Sequence, residues 1–102
     1  MNFELFRSER DGQFYFRLCD KAGTICLKSE GYRRKQSCRK GMESVRRNGK
    51  DKSKYEVKFS KMRTYYFNLK ARNGQIIGSG PFLPDEKGCK DVIQQLVQFF
   101  SS

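Results

Sequence analysis

Apolar and polar positions alternate with a period of two over residues 2–8 and 13–19, and again up to about residue 29. Such alternation predicts strands with one buried face. Residues 34–47 change to helical spacing, with Cys38, Gly41, Met42 and Val45 on one stripe. The same order then recurs as strands over 54–60, 64–71 and 75–80 and a helix over about 85–100. That last stripe carries Cys89, Val92, Ile93, Leu96 and Phe100, and Asp85, after Pro84, is placed to cap its start. Residues 48–53 contain no apolar side chain and read as a polar connector.

The recurrence extends to individual residues. Tyr15-Phe16-Arg17-Leu18 returns 51 positions later as Tyr66-Phe67-Asn68-Leu69, and Gly23, Ile25 and Cys38 match Gly74, Ile76 and Cys89. Phe3-Glu4-Leu5 matches Tyr55-Glu56-Val57 at a shift of 52, so the first loop of the second copy is one residue shorter. A unit of about 50 residues buries too little surface to stand alone. The expectation is therefore one domain over residues 1–102, with repeat one at about 2–48 and repeat two at about 54–100. The predicted fold class is α+β: two tandem βββα repeats related by a pseudo-two-fold, an antiparallel sheet with its helices on one face.

Turn chemistry assigns the faces. Asn73-Gly74 is a strong signal for a two-residue hairpin, and Ala22-Gly23 is its counterpart. On that register Cys19 stands opposite Cys26 as a hydrogen-bonded pair. Phe14, Phe16, Leu18, Ile25 and Leu27 then face the helices, with Tyr65, Phe67, Leu69, Ala71 and Ile76 from the second copy. The other face collects Phe6, Tyr15, Arg17, Cys19, Cys26 and Lys28, with Lys58, Tyr66, Asn68, Lys70 and Ile77.

Three strings, Phe14-Tyr15-Phe16-Arg17-Leu18, Ser29-Glu30-Gly31-Tyr32 and Gly41-Met42-Glu43-Ser44-Val45, resemble the YegP-like family, small tandem-repeat proteins of uncharacterised function. In the second copy the resemblance is carried by Tyr66-Phe67-Asn68-Leu69-Lys70-Ala71 and Asn73-Gly74-Gln75-Ile76-Ile77. It implies a β3-α repeat pair sharing one sheet, with some strand exchange between halves, and brings no catalytic or binding residues. Repeat two departs from it with Gly80-Pro81-Phe82-Leu83 and Val92-Ile93-Gln94-Gln95-Leu96.

Charge changes the picture most. The chain carries a net +11, and residues 33–63 hold thirteen basic side chains against three acidic ones, a net +10. This exceeds what solubility or edge protection requires. It points to an anion-binding surface led by Arg33, Arg34, Lys35, Arg39, Lys40, Arg46 and Arg47, with nucleic acid or another polyanion as partner. Rings interleaved with cations on the other sheet face (Tyr15, Arg17, Tyr66 and Lys70) suggest base stacking.

The absences narrow the chemistry. Without histidine there is no Ser-His, Cys-His or histidine-metal site, and no glycine-rich phosphate loop is present. The four cysteines follow no zinc spacing. No enzyme activity, cofactor or metal is expected. Cys38 and Cys89 sit on the apolar stripes as small core residues. A reactive Cys38, lowered by the helix start and nearby cations, is the redox alternative. No segment has the apolar length of a membrane span, and the first residues lack a signal-peptide layout, so a cytoplasmic location without membrane contact is expected. The alternative to polyanion binding is a protein-interaction module using sheet edges and the apolar residues Phe82, Leu83, Phe99 and Phe100. Internal duplication already supplies two-fold symmetry, so a monomer is expected, with a homodimer left open.

Overall fold

The computed structural model describes residues 1–102. Repeat one comprises β1 (Asn2–Arg7), β2 (Phe14–Cys19), β3 (Ile25–Lys28) and α1 (Lys35–Asn48). Repeat two comprises β4 (Tyr55–Phe59), β5 (Tyr65–Lys70), β6 (Ile76–Ser79) and α2 (Glu86–Ser101), preceded by a 3₁₀ turn at Lys52–Lys54. The six strands form one antiparallel sheet in the order β1-β2-β3-β6-β5-β4. The two halves meet where β3 pairs with β6 at Lys28 and Ser79. Each repeat keeps its three strands contiguous, so the strand exchange implied by the resemblance is absent. Short hairpins bring each strand back beside its predecessor; the halves then join through their third strands, which leaves β1 and β4 as the two edges of the sheet.

The hairpin tips correct the expected register. Asp20 N–H donates to the Thr24 carbonyl and Gly23 N–H to that of Asp20; Ala71, Gln75 and Gly74 repeat the pattern. Among these tip residues only Gly23 (φ 83°) and Gly74 (φ 86°) have positive φ. Each tip is thus a three-residue loop that closes on a glycine, where a two-residue turn would need two positive-φ residues. The extra residue bulges the ladder, so Cys19 stands opposite Ile25 and Lys70 opposite Ile76. Shifting by one position reverses faces. Cys26 and Ile77 therefore join the core, while Ile25 lines a groove of the open face and Ile76 is left exposed.

Phe16, Leu18, Leu27, Phe67 and Leu69 from the sheet pack against Cys38, Val45, Cys89, Ile93 and Leu96 from the helices in a single cluster. Each large apolar side chain removed from water contributes roughly 1.5–3 kcal/mol. The first β-hairpin of each repeat differs by the one residue anticipated from the sequence. Gly12 (φ 73°) serves the longer loop, and Arg63 (φ 61°) takes the left-handed position in the shorter one.

One contact separates the repeats. A Cβ on Gly41 would collide with the Tyr32 hydroxyl and ring and lie 3.2 Å from Phe16 Cε2. Tyr32 is tied to Phe14 by two backbone hydrogen bonds and its ring stacks on Phe16. Repeat two carries Leu83 and Val92 at the corresponding positions. Thus a large ring over no side chain in one half is exchanged for two middle-sized residues in the other.

Candidate functional site

Helix α1 shows its apolar stripe to the sheet and its cations to solvent. Arg33, Arg34, Lys35, Arg39, Lys40, Arg46 and Arg47 are all exposed. The five ion pairs are Arg17–Glu4, Lys58–Glu56, Lys70–Glu56, Lys87–Asp91 and Lys90–Glu86, so none of the seven is neutralised. Glu43 is the one acid on α1 and is likewise unpaired. A polar groove of about 520 Å³ runs among Lys35, Gln36, Arg39, Lys40 and Glu43. The fourteen residues of α1 extend about 21 Å, a length that spans several phosphates.

The helix starts contrast sharply. In α2 the Asp85 carboxylate accepts from Gly88 N–H at 2.7 Å and Glu86 occupies the first turn, which complements the helix dipole. At α1 the cap position is Arg34, which makes no side-chain capping bond, and the first turn holds no acid. Arg33-Arg34-Lys35 thus stands where the second repeat has Pro84-Asp85-Glu86. Cations at the positive end of an uncapped helix cost stability. The backbone N–H groups there also remain open to an anion.

The open sheet face lies on the opposite side of the sheet from α1. Its central row is Arg17, Lys28, Ser79 and Asn68. Tyr15 and Tyr66 each lie two residues from that row, in opposite directions on antiparallel strands. Three strand spacings of about 4.8 Å and four residues of about 3.4 Å separate them by roughly 20 Å. Tyr15 stacks on Phe6 and donates its hydroxyl to Asp11 Oδ2 at 2.6 Å. This bond holds the Asp11 carboxyl below its usual range and pushes the Tyr15 phenol up. The Arg17 guanidinium lies 4.8 Å from the Phe6 ring centre and pairs with Glu4, while Lys70 and Lys58 share Glu56 and lower its pKa. Tyr66 has its ring against Phe82. Tyr15 and Arg17 thus share one corner around Phe6, whereas Lys70, four residues along β5 from Tyr66, is not brought beside it, and both cations are already committed to carboxylates.

Burial answers the cysteine alternatives. All four thiols are free and buried, and burial is the largest influence raising the pKa of each. For Cys38 this outweighs the lowering anticipated from the helix start, because its side chain points into the core. Alkylation of native protein at pH 7.5 should leave Cys38 and Cys89 unmodified long after denatured protein has reacted fully, as followed by intact mass. Rapid native labelling of Cys38 would overturn its core assignment.

The apolar residues divide. Phe99 and Phe100 are half-buried, and Phe100 covers Gly49 and meets Phe3 at 6.2 Å. Leu83 packs at the core margin, while Phe82 stays 61% exposed. Phe59 and Met62 are more exposed than the residues singled out from the sequence, at 63% and 83%. Their strand-end position, beyond the cover of α2, gives no signature in the residue pattern. No helix is long and apolar enough to cross a membrane, and no cluster of three potential ligands is placed to hold a metal ion.

Residues 9–56 and 60–97 each match the family described as a domain of unknown function, DUF1508, one match per repeat. The chain belongs to this family. Its DUF1508 relatives include the UPF0339 protein YegP of Escherichia coli, 48% identical over 77 residues, or 76% of this chain and 69% of YegP. The solution structure of E. coli yegP, also described as of unknown function, superposes with a TM-score of 0.88 at 39% identity, covering 98% of this chain and 85% of that one. A UPF0339 protein from Shewanella oneidensis gives 0.86 at 32% identity, over 98% and 84%. The DUF1508 fold, two like units sharing one sheet, is thus common to all three.

Proposed function

We propose that this protein is a non-catalytic binding module for polyanions, nucleic acid foremost, acting through α1 and the residues that lead into it. Seven cations without an ion pair, five on the solvent side of α1 and two leading into it, support the reading, with an uncapped start where the sister repeat has a capped, acidic one. A surface of this kind attracts phosphates by charge and counterion release, with little dependence on base sequence. Tyr15 and Tyr66 are too far apart to clasp neighbouring bases, so stacking contributes little to it. A reducing cytoplasm is the setting in which four free thiols persist.

The test is fluorescence anisotropy with single-stranded RNA, single-stranded DNA, duplex DNA and heparin. With about five phosphates neutralised, affinity for duplex should fall roughly 500-fold between about 50 and 200 mM salt. Arg39→Glu with Lys40→Glu should abolish binding and leave the melting temperature within a few degrees, since both side chains are exposed and unpaired. Undiminished binding by that variant would remove α1 from the function. No binding to any probe at low salt would retire the polyanion reading.

A further inference from the structure

We propose that the free edge of β1 and the adjoining flank of α1 form a docking groove for an extended acidic peptide, which adds to the sheet as a further strand. The inference goes beyond polyanion binding and shares with it one premise, that Lys35, Arg39 and Arg46 carry no ion pair; Arg46 lies 4.6 Å over the Phe3 ring, which holds its charge at the β1 edge. Backbone bonding on β2 shows which groups of β1 are free. Phe14 and Tyr32 exchange both of their backbone bonds, and Ser29 N–H donates to the Phe16 carbonyl. The even residues of β2 therefore bond toward β3, and the odd ones toward Asn2, Glu4 and Phe6 of β1. Phe3, Leu5 and Arg7 accordingly direct their N–H and C=O groups outward, on a strand with no further neighbour.

Edge strands are ordinarily blunted by charged side chains, lysine above all, by proline or by a bulge. β1 has no lysine, proline or bulge and pairs in unbroken register along its length; its two charges are held elsewhere, Glu4 by Arg17 and Arg7 by the Gly12 carbonyl. Beside this edge lies a groove of about 480 Å³, with Phe3, Leu5 and Met42 as an apolar floor and Lys35, Arg39 and Arg46 as a cationic wall. Glu43 is the one acid in that wall.

Comparison with the other edge separates β1 from a generic sheet margin. On α2 the positions matching Lys35, Arg39 and Arg46 are Glu86, Lys90 and Val97, and Lys90 is held by Glu86. Edge β4 also carries Lys58. Only the β1 edge combines free backbone groups with an uncompensated positive flank.

These features specify the occupant. Outward N–H and C=O groups call for a polypeptide backbone, which nucleic acid does not provide. Side chains of an added strand opposite Phe3 and Leu5 would point to the helix side, where carboxylates meet the three cations; alternate residues would face the Phe6 side. A second copy of this chain is disfavoured, since it would bring another +11 molecule against the same flank.

The probe is an end-blocked peptide of about seven residues, alternating glutamate and valine, a usual strand length. Added to the isotopically labelled full chain, it should slow amide hydrogen exchange at Phe3, Leu5 and Arg7 and leave Tyr55, Val57 and Phe59 unchanged. N-methylation along its pairing edge, or lysine in place of glutamate, should weaken binding about tenfold or more. Lys35→Glu with Arg39→Glu should do the same without altering the spectrum of the core. Equal binding of the N-methylated peptide, protection confined to α1, or no binding at about 1 mM would each overturn the inference, as would β1 protection that grows with protein concentration alone. If RNA binds and the peptide does not, this inference falls while the polyanion reading stands; if neither binds, both fall.

Discussion

Gly41→Val should destabilise the protein by about 2 kcal/mol, and Tyr32→Leu in the same chain should restore most of that loss. The new branches would enter the space held by the Tyr32 ring and approach Phe16, which is 1% exposed and has nowhere to retreat. The Tyr32 ring stacks on Phe16 and packs against the core, so swinging it clear of Gly41 would give up that packing. Replacing glycine in a helix recovers some stability through backbone entropy, which keeps the net loss near the middle of the overpacking range. Tyr32→Leu alone leaves a void above Gly41 and should also destabilise. The double variant reproduces the Leu83 and Val92 pair of the second repeat. Urea denaturation of the four proteins measures the coupling, and additive losses would show that the ring and the glycine are not in steric register.

Transplanting the second helix start onto the first should move stability and binding in opposite directions. Arg33→Pro, Arg34→Asp and Lys35→Glu together install the cap and acid of α2 at α1. A capping bond and favourable dipole charges should add about 1 kcal/mol, or roughly 4–8 °C in melting temperature. The same change removes three cations and adds two anions where phosphates would bind. The slope of log affinity against log salt for duplex DNA should become shallower by about 2–3. A stabilised protein that binds as before would show that the basic start of α1 serves no anion. A destabilised one would show that Arg33, Arg34 or Lys35 has a structural partner not evident from its exposure.

How much was legible in the sequence depends on the range of the interaction. Strand and helix positions followed from periodicity because a buried face repeats every two residues or every 3.6. Asp85 was readable as a cap because capping is settled within four residues. The seven cations of α1 and its lead-in were legible as a charge excess, and their freedom from ion pairs was not. Glu56 shows why: it lies within the basic segment, yet it holds Lys58 and, from another strand, Lys70. The hairpin tips were misjudged because Asn73-Gly74 suits two turn types, and the choice between them reversed Ile76 and Ile77.

The linear order of residues by itself determined the duplication, the βββα order, the apolar stripes, the family resemblance and the concentration of positive charge between residues 33 and 63. Each of these is local or additive, so neighbours along the chain suffice. Only the tertiary structure decided which strands join the halves, which thiols are buried, and that Tyr15 and Tyr66 stand far apart on the face opposite the basic helix. It alone set the cationic flank of α1 beside the unpaired edge of β1. Those outcomes depend on groups brought together from distant parts of the chain by packing and register, where a shift of one residue exchanges inside for outside.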